Sequence, residues 1–563
     1  MATTVHPQQP SIMMIPRPLM LAMVYSSLSG LLSGYQMGIA GGTLKSLQSS
    51  SLDITSSQAG HITSIYFIGL MVAGPFGGYA TDKFGRRTCI LYMDGLLIVG
   101  SLLLAVAPNY NTILAGRFIV GCATAVTLVA AVSYLTELTS VNHNHAQHHR
   151  GALVLSVQAS IALGFLASYL ASYALSTTAK DDNEERVGQW RLLFGAGTGL
   201  LAGVQWMGMR RMPESPQWLA MKGYYDRAHV AVSRFTATNP ISHVGSSSAL
   251  HEHASMRDAA IETQVGYGEV IRANAAATPT ISQYWKQAVI IAVLAIAEQF
   301  GGHINVINFA PVIFAEVFYD EEEQAASENG DEFALVILGM LKLLITLFVL
   351  FSVDKFGRLF FLKAGATIVT VSLLFVAISL SVSWEETVVT QSGEIEYLHS
   401  TMQDVLVLIG CTGVVTGFAL SYGPVWLIAS ELSPSSIRGR MLGFFTVLTH
   451  GCAALVTYTF ISDQEEYGNA RPFWIYFVFS LAGLAFFFVA VPETVGVDGC
   501  ECEDVESLLD ESPFWSWSKN SLISRCFGQC RDGFKMKTPA QEVTRIDLGF
   551  DDVVDTNGRP SFT

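Results

Sequence analysis

Charge is scarce in this chain: Asp, Glu, Lys and Arg together supply only 14% of its 563 residues, where soluble proteins carry roughly a quarter. So little charge cannot cover the surface of a soluble protein of this length, and that class is excluded. The charge present sums to −15, which says nothing here about nucleic acid; no basic patch with interleaved aromatics occurs, so no nucleic-acid partner is expected. Cysteine is sparse as well, with eight in all. Cys89, Cys122, Cys411 and Cys452 fall in apolar runs, where a free thiol behaves as a small hydrophobe. Cys500, Cys502, Cys526 and Cys530 fall near the end at spacings too irregular for a zinc framework, and palmitoylation of a tail suits them better. No glycine run is followed by Lys-Ser/Thr, so a phosphate-binding loop is excluded. With no nucleophile–base constellation and no metal framework, neither an enzyme, a cofactor nor a metal site is expected.

Long apolar runs are what the chain has in quantity. Half of the residues are hydrophobic and mean hydropathy is +0.40. A membrane-crossing helix needs roughly 20 apolar residues. Twelve such runs occur, at 19–43, 58–80, 88–107, 112–136, 151–175, 190–211, 286–318, 333–353, 359–383, 403–430, 438–462 and 472–492. The first is long and lacks a cleavage site, so it is expected to remain as a helix. The spacing predicts an all-α membrane protein. Its expected parts are an N-terminus 1–18, a six-helix bundle 19–211, a polar loop 212–285 with short amphipathic helices, a second six-helix bundle 286–494, and a polar, largely disordered tail 495–563. Acidic residues gather in alternate gaps (Asp181, Asp182, Glu184, Glu185; Asp320 to Glu323; Glu385, Glu386; Asp463, Glu465, Glu466). Basic residues gather in the others (Lys83, Arg86, Arg87; Arg150; Arg210, Arg211; Lys355, Arg358; Arg438, Arg440). The positive-inside rule puts the second set, and with it both termini, in the cytoplasm.

The pentapeptide Asp-Lys-Phe-Gly-Arg occurs at 82–86 and again at 354–358, each time between the second and third apolar runs of its half. That placement indicates a duplicated architecture. Small residues recur at four-residue spacing, at Gly30, Gly34, Gly38 and Gly42, at Gly195, Gly199 and Gly203, and at Gly413 and Gly417. They predict close helix–helix approach, which in lipid must come from packing. Polar groups inside spans are costly and are expected to face the bundle interior or a water-filled path. They include Gln36, Asp94, Arg117, Gln158, Glu298, Gln299, His303, Asn305, Asn308, Trp426, Thr449 and His450. Amides that donate to and accept from hydroxyls, with an aromatic face for C–H groups, make a sugar site; for any single amide, a helix–helix hydrogen bond is the alternative. The segment Asn-His-Asn-His-Ala-Gln-His-His at 142–149 reads as a solvated loop rather than a metal site.

Several segments in order resemble the sugar porter family of the major facilitator superfamily. They are GGYATDKFGRR with its echo DKFGR, GRFIVG at 116–121, YLTE at 134–137, RGAL at 150–153, PESPQWL at 213–219, SELSPSSIRGR at 430–440 and PET at 492–494. The resemblance runs from about Leu19 to Thr494 and implies twelve helices in two pseudo-symmetric bundles that work by alternating access. It implies an inner gate of ion pairs among Asp82, Arg86, Glu137 and Arg150, repeated by Asp354, Arg358, Glu431 and Arg438. Surface pairs of this kind are individually weak, which suits a lock that must open.

For the ligand, the resemblance puts Gln158 and Gln299 on sugar-contacting glutamines and Trp426 on the family's tryptophan. Asn305 takes the family asparagine's place if the seventh run is shifted by one, while Asn308 stands in a tyrosine's place without the shift. Thr449 and His450 replace an amide and a tryptophan, so a polyol, another monosaccharide or a non-sugar ligand stays open. Proton symporters of the family carry an aspartate where Gln36 stands, paired with the arginine at Arg117. Gln36 has no charge to change, which favours facilitated diffusion. Glu298, a carboxylate where the family has an amide, leaves proton symport as the alternative. His303 and His450 are placed to contact substrate or sense pH. The expected partners are a small sugar or polyol, the lipid bilayer, and cytoplasmic proteins that bind the tail; the expected location is the plasma membrane. A membrane nutrient receptor that signals through its tail is the rival from another class.

Overall fold

The computed structural model describes residues 17–48, 52, 54–140, 150–178, 189–236, 284–307, 330–382, 385–389, 395–399, 401–434, 437–468, 470–494, 509 and 514–515. Asn308, the His-rich segment 142–149 and the four tail cysteines lie outside them, as does the side chain of Arg150.

Hydrophobic runs flanked by turn signals become helices because every backbone polar group must be satisfied within the segment once it enters lipid. The first half holds α1 (Arg17–Gln48), α2 (Ser56–Phe84), α3 (Arg86–Ala105), α4 (Tyr110–Ser140) and α5 (Arg150–Thr178). Its last span is α6 (Thr198–Met209), entered through a helical turn Gln189–Arg191 and a π-helical turn Leu192–Gly197. Two short helices follow, α7 (Pro216–Met221) and α8 (Tyr225–Thr236). The second half holds α9 (Trp285–Gln299), α10 (Gly330–Phe356), α11 (Arg358–Ser381), α12 (Thr401–Glu431), α13 (Arg438–Tyr467) and α14 (Arg471–Val489). Among the described residues, eleven of the spans are long and apolar enough to cross a membrane by length and composition. The twelfth, α1, has the length at 32 residues, its apolar run diluted by serine and glycine. An antiparallel hairpin, β1 (Glu385–Val389) with β2 (Ile395–His399), joins α11 to α12 and pairs Glu385 with His399. The run periodicity gave no sign of it.

Caps explain several boundaries. Thr55 starts α2 with a capping box: Gln58 N–H donates to Thr55 Oγ1 at 3.3 Å, and Thr55 N–H donates to Gln58 Oε1 at 3.0 Å. Between α2 and α3 the chain turns at Gly85 (φ +100°), and between α10 and α11 at Gly357 (φ +88°). Both are the glycine of the repeated pentapeptide, in a left-handed conformation that side chains resist. Span α9 breaks in mid-membrane. Its helix ends at Gln299, the chain turns through Phe300 and Gly301 to Gly302 (φ +68°), and helix resumes at His303.

The glycine ridges pack as expected in three places. Gly30 and Gly34 of α1 lie directly on the Val157 and Ile161 carbonyls of α5, Gly365 of α11 meets Gly417 of α12, and Gly413 of α12 meets Ser372 of α11. Gly195 in the π turn and Gly199 in α6 approach α3, whereas Gly203 has no such neighbour among the described residues. The bundles meet along two equivalent seams, α2 against α13 and α5 against α10. At the first seam Gly74 and Gly78 face Gly443 and Gly439, backbone to backbone.

Candidate functional site

The repeated pentapeptides build two matching networks at one mouth of the molecule. In the first half, Arg86 is fully buried and reaches Glu137 at 2.7 Å, Asp82 at 3.3 Å and the Thr81 carbonyl at 2.9 Å. Ser215 donates to the other Glu137 oxygen. Glu214 caps α3, accepting from the Arg87 and Thr88 N–H groups at 2.9 and 3.2 Å. In the second half, Arg358 reaches Asp354 and Glu431, both at 3.1 Å, and Thr494 donates to Glu431 at 2.6 Å. Glu493 caps α11, accepting from the Arg358 and Leu359 N–H groups at 3.0 Å. Carboxylates at helix N-termini gain from the unsatisfied N–H groups and the helix dipole.

Each aspartate also crosses to the other bundle. Asp354 accepts from the Gly151 and Ala152 N–H groups at the head of α5, at 3.2 and 3.1 Å. Asp82 lies 3.6 Å from the Arg440 guanidinium, in the first turn of α13. The two pentapeptide aspartates thus contact the opposite bundle at positions related by the internal duplication. Arg438 is fully buried in the first turn of α13, and the contact to Asp82 comes from Arg440. Glu214, Glu493 and Arg440 were not singled out from sequence. The signal was there, since Pro-Glu-Ser at 213–215 recurs as Pro-Glu-Thr at 492–494, and Arg-Gly opens both α5 and α13.

Midway through the molecule, a small cavity lined by both polar and apolar side chains lies at the seam between the bundles. Gln299 and His303 line it from either side of the α9 break, with Thr449 and His450 from α13, Lys342 from α10, and Phe165 from α5. Gln299 Oε1, His303 Nδ1 and Thr449 Oγ1 have no hydrogen-bond partner among the described residues. His450 Nδ1 lies 2.9 Å from the Thr446 carbonyl. A carbonyl only accepts, so Nδ1 carries the proton and Nε2 is left as an acceptor. The space amounts to about 10 Å³, room for about one water. A sugar enters only if the bundles part.

Other residues anticipated for the ligand fall elsewhere. Asn305 ties α9 to α13 and α14, donating to the Val456 carbonyl at 3.0 Å and to the Tyr476 hydroxyl at 2.8 Å. Trp426 packs edge-on against Phe445, and Gln158 lies beside Gly423 of α12. Both are buried with an unpartnered polar atom, and neither lines the cavity. Glu298 lines a second small cavity with Ser421, Ser480 and Phe418, and neither carboxylate oxygen has a hydrogen-bond partner among the described residues. Arg117 is held by neutral acceptors: Gln36 Oε1 at 2.6 Å, the Gln36 carbonyl at 3.2 Å and the Ile62 carbonyl at 3.3 Å. Its guanidinium faces the Tyr66 and Phe194 rings, and Gln36 in turn donates to Thr198. Lys342 was not singled out from sequence either, although it is the sole charge in an otherwise apolar run.

Two bundles of six spans, a small cavity at their seam and a mouth bridged by the repeated pentapeptides are the architecture of a multi-pass transporter of the major facilitator fold that works by alternating access. The chain belongs to the sugar (and other) transporter family, whose model matches residues 22–505. It is 26% identical to facilitated glucose transporter member 12 of solute carrier family 2 from Xenopus laevis, across 85% of this chain and 88% of that protein. It is 27% identical to the glucose transporter GlcP of Staphylococcus epidermidis, across 87% and 97%, and 26% identical to D-xylose-proton symporter-like 2 of Arabidopsis thaliana, across 85% and 88%. Among solved structures, the proton:xylose symporter XylE bound to 6-bromo-6-deoxy-D-glucose superposes with a TM-score of 0.69 at 21% identity, covering 87% of this chain and 99% of that one. Members of this family are transporters and not enzymes.

Proposed function

We propose that this protein moves a monosaccharide or polyol across the membrane by facilitated diffusion. The observation that carries this reading is the Gln36–Arg117 pair. The buried arginine is satisfied by an amide and two carbonyls, so no group at that position gains or loses charge in the cycle. The proteins named above include a facilitated glucose transporter and a proton:xylose symporter, so coupling rests on the residues of this chain. Proton-coupled symport through Glu298 is the second reading, favoured by its two unpartnered carboxylate oxygens.

In this reading, substrate binds where α9 breaks, through Gln299, Thr449 and His450. Gln158 and Trp426 turn toward it, and Asn305 leaves its helix–helix bonds, as the bundles rock. The locked mouth is cytoplasmic, as are both termini, and the membrane is the plasma membrane. The bundles correspond to 19–211 and 286–494, joined by 212–285, and the tail 495–563 offers a binding segment to cytoplasmic proteins. Counterflow in proteoliposomes with a panel of hexoses, pentoses and polyols tests this. Gln299→Ala is expected to raise the half-saturation concentration of the best substrate by about tenfold, the worth of one or two lost hydrogen bonds. Binding of a panel member without any counterflow would instead favour the receptor.

A further inference from the structure

Span α10 is the most apolar of the eleven, with a mean hydropathy of 2.6, yet Lys342 stands at its middle. A lysine there is expensive and points to a function. It does not reach out toward lipid headgroups: it is 3% exposed, and its ammonium lies 3.8 Å from the centre of the Phe165 ring, across the seam between the bundles. On the other side the Phe418 ring lies at 5.3 Å. Aromatic faces steady a cation without accepting a hydrogen bond in the ordinary sense. Among the described residues the Lys342 ammonium has no carboxylate within ion-pair distance. Glu298 is near enough for the two charges to interact, but it lines the separate cavity of which Phe418 is a shared wall.

Resting on the transporter reading above, we propose that the central cavity prefers sugar acids, with Lys342 meeting the substrate carboxylate while Gln299, Thr449 and His450 meet its hydroxyls. The cation and the three hydroxyl-binding groups line one cavity, and the unpartnered oxygens of Gln299 and Thr449 suit a polyhydroxylated body. A single ammonium matches one carboxylate; a phosphate dianion calls for more than one cation or a bidentate arginine. Neutral sugars still fit, since a hydroxyl accepts from an ammonium, but a charge-assisted bond is about twice as strong. The consequence is selectivity for the acid rather than exclusion of the neutral sugar.

The test is uptake of labelled glucuronate and labelled glucose into proteoliposomes with the membrane potential clamped at zero. The wild-type ratio of kcat/KM, glucuronate over glucose, is expected to exceed about 10, and Lys342→Met to lower that ratio at least about tenfold. Lys342→Arg, which keeps the charge, restores most of it. Glucose uptake with a wild-type ratio below 1 would overturn the proposal while leaving the transporter reading intact, as would a ratio unchanged in Lys342→Met. If Lys342→Met fails to fold, the wild-type ratio and Lys342→Arg decide. Uptake of no member of the sugar panel, acidic or neutral, would overturn the transporter reading and this proposal with it.

Discussion

Replacing both crossing aspartates, Asp82→Ala with Asp354→Ala, is expected to open the locked mouth. Each side chain contacts a helix head of the opposite bundle, Asp354 accepting from the Gly151 and Ala152 N–H groups and Asp82 lying 3.6 Å from the Arg440 guanidinium. A lost cap costs about 1 kcal/mol and a partly exposed ion pair up to about 1 kcal/mol, so the two together remove about 1–2 kcal/mol from the closed state alone. That shifts the balance of closed to open mouth by roughly 5- to 30-fold. Spin labels placed on either side of the mouth report the shift as a new, longer distance. Asp82→Asn with Asp354→Asn keeps an acceptor oxygen and is expected to shift the balance less. An unaltered distance distribution in the double alanine variant would show that the locks do not hold this mouth.

Arg86→Ala is expected to be the most damaging single change to the folded state. Arg86 and Glu137 are both fully buried, 2.7 Å apart. Removing the cation strands a fully buried carboxylate, at a cost of about 3–5 kcal/mol. Arg358→Ala removes the equivalent group opposite Glu431 and should behave alike. The readout is melting temperature and monodispersity in detergent. Adding Glu137→Gln to Arg86→Ala should recover part of the loss, because the stranded charge goes with it. A single variant as stable as wild type would contradict the assignment of Arg86 as the centre of its network.

The fold was legible because lipid makes its demands locally. Twelve apolar runs and two copies of Asp-Lys-Phe-Gly-Arg gave the helix count and the duplication, since each depends on residues within one run or one loop; Glu137 and Glu431, which meet Arg86 and Arg358 from separate helices, were named through the family resemblance. The halves of the lock that cross between bundles were harder to see. The pairing of Asp354 with Gly151 and Ala152 uses backbone N–H groups, which no residue identity advertises. The cavity was read only in part. Gln299, Thr449 and His450 line it, but Asn305 is taken up by Val456 and Tyr476, and a polar residue in a span looks the same in sequence whether it faces a ligand or a neighbouring helix. Lys342 was a further signal passed over. It belongs to no motif, and its meaning comes from the Phe165 and Phe418 rings that surround it.

The most direct measurement of how the transporter runs is uptake of its best labelled substrate into proteoliposomes, with the membrane potential clamped at zero and an inward proton gradient imposed or absent. Facilitated diffusion past a neutral Gln36–Arg117 pair gives the same final level with and without the gradient, equal to the outside concentration. Accumulation above that level under the gradient, abolished by Glu298→Gln, would contradict it and establish proton coupling through Glu298.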